Sequence, residues 1–581
     1  MKSKIFLILI ILLAFVLRFW RLNSYPALNA DEAAIGYNAY SLIQTGLDEH
    51  GNLWPIHFQS FNDYKPGLYF YIVLPFVKVL GLNEWAVRIP GAFFGVLSVL
   101  VIYLLVKELF KDERFAIVSA LFLAISPWHL QFSRGGWEVN TATFFVLTGL
   151  LFFFKSLKET KSGKKILKLV LSSVFLVASF YTYHAVRVVV PLLGLSILII
   201  YGKTIFKDFK PYLIFVTVSF VLLIPLAIDL LSPGALSRVA GVGLFADQGP
   251  LNRINEQRGE HGNIDSILGK VLHNKAVNYG LAFAENWASH FNGEFLFMSG
   301  DSVERNKVPE TGEMYLFDII FLGVGFIFIS KKFDDSIQEN CERKLTDELN
   351  ADMSSSKTKG DPDSKVVEGC HSSWKFIISW LLITPVASAL TFQSPNALRA
   401  QNTVIPLIII SVFGFTTILS WLKDQKRWNL AGYALMFLLI CWNLGRYLNM
   451  YYLHMSQVYP YSSQYGVKEL VTYVSENQSK YKDIFVTERY DQPYILFLFY
   501  MKYAPQMFQF HHTLTTRDEF GFSTVADFDK YHFGSIDFSS IQNNYPESLI
   551  IGTPEEIPQS ASIIKRIYGT NGFEYFDLVQ D

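Results

Sequence analysis

The chain has 581 residues, enough for two domains or for one large membrane domain with an appendage, and its formal net charge is −1. Half of it is apolar, aromatics reach 16%, and only 17% is charged, against about 25% for soluble domains. Much of its surface therefore faces hydrocarbon, and with no Lys/Arg-rich run interleaved with aromatics on a water-facing segment, nucleic acid is not a predicted partner. The three cysteines, Cys341, Cys370 and Cys441, show neither metal spacing nor a disulfide framework.

The N-terminus reads Lys2, Lys4, then an apolar run over 5–17 that resumes at Phe19 and Trp20 after Arg18. No small-x-small site follows, so the expectation is an uncleaved signal anchor rather than a signal peptide, with Arg18 snorkelling to the interface. Ten further apolar stretches approach the roughly 20 residues a span needs: 88–106, 115–131, 139–154, 166–182, 185–201, 211–230, 315–330, 375–392, 403–422 and 428–446. All are predicted as helices, because open strands would leave amides unpaired in lipid.

Lys and Arg set the orientation. With the N-terminus in the cytoplasm, the inside segments hold 25 Lys/Arg and the short outside turns three, at Arg134, Arg187 and Arg399. A crossing by the leftover stretch 66–81 would reverse that bias, so it is predicted to lie in the outer leaflet, leaving eleven spans. The expected organisation is a transmembrane domain over 1–446 with outer loops at 21–87 and 231–314 and a flexible cytoplasmic insert at 331–374, then an extracytoplasmic α/β domain over 447–581. In that last domain helical patterns at 463–477 and 491–502 alternate with β-rich runs at 483–487, 548–551, 562–568 and 573–579. The predicted location is an integral membrane position in a prokaryotic plasma membrane.

Polar residues that are costly near lipid gather where function is, and here Asp31, Glu32, Asp63, Lys65, Arg134, His184, Arg187 and Arg399 all fall at the outer mouth. Asp31-Glu32 precedes an amphipathic stretch. It reads as a helix cap or as a general base for an acceptor hydroxyl, and the two are compatible. Lys65 stands before Pro66-Gly67, at a helix start where an ammonium and free amides could jointly hold phosphate; an interfacial lysine in an aromatic belt is the other reading. Asp63 could position that lysine or bind sugar hydroxyls. Arg134, Arg187 and Arg399 suit phosphate oxygens or lipid headgroups. His129 and His184 lack metal spacing and read as hydrogen-bonding residues.

Together these residues resemble the lipid-linked-sugar transferases of the C-type glycosyltransferase superfamily, and glycosyltransferase family 39 in particular, which includes protein O-mannosyltransferases and lipid A aminoarabinose transferases. The stretch 28–109 carries the resemblance: Asp31-Glu32 with Gly36-Tyr37, Thr45-Gly46 with Asp48-Glu49, Asp63-Tyr64-Lys65-Pro66, and Val87-Arg88-Ile89-Pro90. The stretches 181–187 and 394–399 are similar too. The resemblance implies a dolichyl- or undecaprenyl-phosphate sugar as donor, a catalytic acidic residue matching Asp31, and a phosphate-binding Lys-Pro element matching Lys65. The aminoarabinose enzymes carry Glu before that lysine and a second proline after Pro66; here Tyr64 and Gly67 stand there, with Asp63 one place earlier.

The expected function is inverting transfer of one sugar from a polyprenyl-phosphate donor to a hydroxyl on a protein, lipid or cell-wall glycan at the outer face. Asp31 is the expected catalytic residue, Glu32, Asp63 and His184 the acceptor or sugar ligands, and Lys65, Arg134, Arg187 and Arg399 the phosphate ligands. No cofactor is required; a divalent metal could sit at Asp31-Glu32, although no histidine–carboxylate spacing demands one. The alternative, a transporter or flippase, would place its ionisable residues near mid-membrane. A ligand sensor would instead need an ordered cytoplasmic module.

Overall fold

A computed structural model of the chain describes residues 2–61, 63–231, 241–262, 266–331, 362–425, 428–462, 464–516 and 523–580, with the backbone alone for 2, 63 and 362–370. Most of the insert predicted at 331–374 lies outside the described residues.

The first helix, α1 (Lys2–Phe19), leads into α2 (Ala30–Thr45), a hairpin of β1 (His57–Ser60) and β2 (Asp63–Pro66), and α3 (Leu68–Leu80). Then come α4 (Glu84–Phe110), the bent pair α5 (Glu113–Ile125) and α6 (Pro127–Ser133), and α7 (Glu138–Leu157), α8 (Ser162–Phe180), α9 (Val186–Lys207) and α10 (Lys210–Asp229). Helices follow at 317–331, Pro362–Ile383, Val404–Asp424 and Asn429–Asn449. Each of the eleven predicted stretches overlaps one or two of these helices, 115–131 being divided between α5 and α6 and 375–392 running past Ile383. By length and composition, six of the described helices can cross a membrane, or seven with α5 and α6 as one bent span. With 13 residues, α3 reaches only about 20 Å, short of a bilayer core of about 30 Å.

The bend corrects one expectation. Ser126 caps α6, accepting from His129 N at 3.4 Å, and Pro127 occupies its first turn. The two axes meet at 57°, which frees the last carbonyls of α5. Arg18 supplies what they lack: Nη1 donates to Ala124 O at 3.0 Å and Nη2 to Leu123 O at 3.3 Å, with His129 Nδ1 2.8 Å from Nη2. Arg18 is fully buried rather than snorkelling, because the break gives its guanidinium partners inside the protein.

The C-terminal part is built on a seven-stranded sheet. Its strands are β3 (Ile484–Thr487), β4 (Thr513–Leu514), β5 (Val525–Phe528), β6 (Tyr531–Gly534), β7 (Leu549–Gly552), β8 (Ile563–Tyr568) and β9 (Glu574–Gln580), in the order β4-β5-β6-β3-β7-β9-β8. Only β3 runs parallel to its neighbours β6 and β7; the other pairs are antiparallel. The run over 573–579 becomes β9, with β8 beside it, whereas β4, β5 and β6 were not predicted. The preceding helical run continues past 446 to Val458.

This sheet and α2 share one apolar core. A Cβ on Gly36 would stand 2.6 Å from the Phe499 ring, so glycine is what lets α2 approach helix Pro493–Met501. Tyr37 meets Phe508 edge-on at 6.1 Å and donates to Tyr503 O at 3.2 Å. The helix that carries Asp31 is thus held by the C-terminal part as well as by the membrane helices.

Candidate active site

Asp31 and Glu32 lie side by side in the first turn of α2, yet the fold separates their roles. The cap belongs to Asn29, whose side chain accepts from Glu32 N at 2.9 Å while Glu32 Oε2 accepts from Asn29 N at 3.2 Å, a reciprocal capping box. Glu32 turns inward. Its carboxylate takes Arg88 Nε and Nη2 at 2.7 Å each and Gly136 N at 2.8 Å, and both side chains are buried. The expectation that Glu32 binds acceptor or sugar is therefore corrected: its oxygens are engaged within the framework, tying α2 to α4.

Asp31 faces a cavity of about 670 Å³ lined by residues of the membrane helices, their connecting segments and the sheet domain. It forms an ion pair with Lys65, its Oδ1 accepting from Nζ. Its Oδ2 lies 3.6 Å from Arg305 Nη1, and the same nitrogen is 3.5 Å from Asp491 Oδ2. One guanidinium thus bridges a membrane-domain carboxylate and one on the turn after β3. Burial raises the Asp491 carboxyl above its ordinary value, opposed by Arg305.

Lys65 owes its position to the hairpin and the start of α3. Gly67 N donates to Ile56 O at 2.8 Å and Leu68 N to Tyr181 O at 2.9 Å. Two of the amides at that helix start, those of Gly67 and Leu68, are thus already engaged. At Gly67 a Cβ would come within 2.8 Å of both the Ile56 carbonyl and the Phe58 ring, a physical reason for glycine where the aminoarabinose enzymes carry proline. The backbone of Asp63 lies in β2; its side chain falls outside the described residues.

Behind this hairpin runs a chain of polar contacts. His184 Nε2 meets Tyr64 O at 3.0 Å, His184 Nδ1 meets Arg187 Nη1 at 3.2 Å, and Arg187 Nη2 meets His57 Nε2 at 2.7 Å. His57 Nδ1 in turn pairs with Asp229 at the end of α10. His184 lines the cavity, while Arg187 stands behind its lining.

Arg399 also lines the cavity. Its Nη1 donates to Thr391 Oγ1 at 2.6 Å and to Gln393 O at 3.2 Å. Asp301 ties the segment 301–306 to the segment 396–399: Oδ2 accepts from Ala397 N at 2.7 Å and from Asn306 Nδ2 at 3.0 Å, and Oδ1 from Val303 N at 2.9 Å. Burial pushes this carboxyl up, and those donors oppose it.

Arg134 is corrected too. Its fork donates to the carbonyls of Leu17, Arg18, Trp20 and Tyr25, and Nε to Tyr451 Oη at 3.1 Å. It is buried and stands over the Tyr451 and Tyr452 rings at 5.2 Å, where it braces the link after α1 and cannot reach the cavity. Arg305 takes the third cationic place instead, alongside Lys65 and Arg399. Sequence reasoning missed it because it lies in a long loop without periodicity, among several other Lys and Arg.

A second cavity, of about 430 Å³ and nearly all apolar, opens between α7, α8, α9 and α10, with Phe153, Leu176, Phe180, Leu193 and Phe215 among its walls. Among the described residues no group of three or more His, Cys, Asp or Glu side chains is arranged to hold a metal ion.

Residues 64–228 match the family model described as dolichyl-phosphate-mannose-protein mannosyltransferase. Solved structures extend the likeness over the whole chain. ArnT from Cupriavidus metallidurans bound to undecaprenyl phosphate is 11% identical, with 99% of this chain and 97% of that one aligned at a TM-score of 0.54. The chain has the C-type glycosyltransferase fold. The apo state of ArnT gives 10% identity, 100% and 98% coverage and a TM-score of 0.53. The Archaeoglobus fulgidus oligosaccharyltransferase tethered to an acceptor peptide gives 13% identity and a TM-score of 0.50 over 86% of this chain. This chain spans 63% of the length of that archaeal enzyme. No curated protein matches the sequence. The likeness thus holds in sequence over one segment and in fold throughout.

Proposed function

We propose that the chain transfers a single sugar from a polyprenyl-phosphate donor to an acceptor hydroxyl at the outer face of the membrane, with inversion at the anomeric carbon. The observation that carries this reading is the Asp31 carboxylate held between the Lys65 ammonium and the Arg305 guanidinium in one cavity. A base and phosphate-binding cations are the two things such a transfer needs.

In the reaction the acceptor oxygen attacks the anomeric carbon from the side opposite the phosphate. The bond between that carbon and the phosphate oxygen breaks, its electron pair leaves with the phosphate, and Asp31 takes the hydroxyl proton. The products are a glycoside and polyprenyl phosphate. Lys65, Arg305 and Arg399 hold the departing phosphate, each such preorganised donor being worth ~3–4 kcal/mol in the transition state. His184 and Arg187 support the Lys65 hairpin from behind. The apolar cavity between α7 and α10 suits an isoprenoid chain, which keeps the lipid tail in hydrocarbon while its phosphate rises to the cations. ArnT, which has this fold, was solved with undecaprenyl phosphate bound, and that supports the donor class.

The test is transfer of label from radiolabelled polyprenyl-phosphate sugars by membranes carrying the wild type or Asp31→Asn. Loss of transfer with normal membrane insertion is expected; wild-type rates in the variant would remove Asp31 from the mechanism.

A further inference from the structure

Phe61, on the cavity wall, has a strained backbone. The register of the β1–β2 hairpin pairs Ser60 with Asp63, so the connection is two residues long and Phe61 is its first. Hairpin turns of that length take a positive φ at this position, where Gly, Asn and Asp dominate. Phe61 has φ 54°, a left-handed conformation that a bulky side chain rarely adopts. Resting on the function proposed above, we propose that the Phe61 ring is the platform on which the donor sugar stacks, and that this sugar is a hexopyranose.

Three observations carry the assignment. The first is the strain itself. A residue other than glycine stays in this region only where its surroundings over-determine it, and such residues gather at ligand sites. Here the ring is held from the C-terminal part by Tyr494, which it meets at 6.0 Å and 83°. Glycine or asparagine would make the same turn without that strain, but neither would set a ring beside Lys65.

Position is the second. The ring lines the cavity that Asp31 faces, and the Lys65 ammonium stands over it, 5.3 Å from its centre. A phosphate held by that ammonium brings the sugar it carries to the same ring.

The third is exposure. Among the described residues that line the cavity, the Phe, Tyr and Trp side chains are Phe61, Trp137 and Tyr183. Trp137 and Tyr183 are buried, whereas Phe61 is half-buried. An aromatic face is electron-rich, so it attracts the weakly positive C–H bonds of a sugar ring. A pyranose chair offers a flat patch of parallel C–H bonds to such a face; a puckered furanose does not. If Phe61 instead only steadied the Lys65 ammonium through its ring, its loss would be felt by the lipid phosphate whether or not a sugar is attached.

The test uses the full-length protein in vesicles, with polyprenyl-phosphate hexopyranoses and a polyprenyl-phosphate pentofuranose as donors. Polyprenyl phosphate serves as product inhibitor and reports the phosphate site alone. In Phe61→Leu the donor KM is expected to rise about tenfold while the inhibition constant of polyprenyl phosphate moves less than about twofold. Phe61→Tyr keeps the aromatic face and should restore the KM. Wild-type protein should consume the hexopyranoses with kcat/KM at least about tenfold above the furanose, and that ratio should shrink in Phe61→Leu. Equal shifts in donor KM and in the inhibition constant would make Phe61 a support for Lys65 and overturn the stacking assignment. An unchanged donor KM, or preferred use of the furanose, would overturn it as well. Each of these leaves the polyprenyl-phosphate reading standing. Failure to consume any polyprenyl-phosphate sugar overturns both.

Discussion

Glu32 and Arg88 are locked together by two 2.7 Å hydrogen bonds inside the protein, while the next residue back, Asp31, opens onto the cavity. Neighbouring carboxylates on one helical turn therefore have opposite uses, and mutation should separate them. Glu32→Gln breaks a buried pair and is expected to cost about 3–5 kcal/mol of stability, visible as a fall in the thermal midpoint of the solubilised protein. Asp31→Asn should leave that midpoint nearly unmoved and abolish transfer. Equal loss of stability in the two variants would show that this division of roles is wrong.

The same contrast holds for the arginines. Arg399→Ala removes a cation from the cavity and is expected to slow donor use by about 10²–10³ in kcat/KM. Arg134→Ala unpairs backbone carbonyls of Leu17, Arg18 and Trp20, so it should lower stability and expression first. Steady-state donor kinetics set beside a melting curve tell the two apart.

The chain of contacts from Tyr64 through His184, Arg187 and His57 to Asp229 predicts action at a distance. Asp229→Asn should weaken the hold on the hairpin that carries Lys65 and reduce kcat about tenfold, with a smaller change in acceptor KM. Unaltered kcat would disconnect α10 from the site.

Stability should also depend on pH through Glu49. Burial pushes this carboxyl up to about 8, from an ordinary 4.5, against a hydrogen bond from Asn38. Folding therefore favours its protonated form. Below pH 4.5 the group is neutral in both states and costs nothing. As pH rises from there to about 8 the unfolded chain ionises first, so native stability falls by on the order of a few kcal/mol and then levels off. Glu49→Gln should flatten that part of the profile, measured as the difference in thermal midpoint between pH 5 and pH 8.5; an equally steep profile in the variant would locate the titration elsewhere.

The helical membrane architecture was legible because apolar length is a property of the chain itself. Asp31, Lys65, His184 and Arg399 could be singled out because ionisable groups at the rim of apolar helices stand out from their surroundings. What the pattern could not reveal was which of those groups had already found partners indoors. Glu32 and Arg134 look like Asp31 and Arg399 in sequence; only the fold shows Arg88 and a ring of carbonyls beside them. Arg305 went unnoticed because its loop has no period, and β4 to β6 because strands of two to four residues carry too little alternation to register.

The apolar core common to α2 and the C-terminal sheet bears on how the protein is made. The helix bearing Asp31 is synthesised long before Tyr494, Phe499 and Phe508, which pack into the same apolar core. During that interval its greasy flank is bare. A ribosome that stops before Tyr494 would therefore yield a sticky fragment suited to proteolysis, and the cavity beside Asp31 is complete only when these two parts of the polypeptide meet.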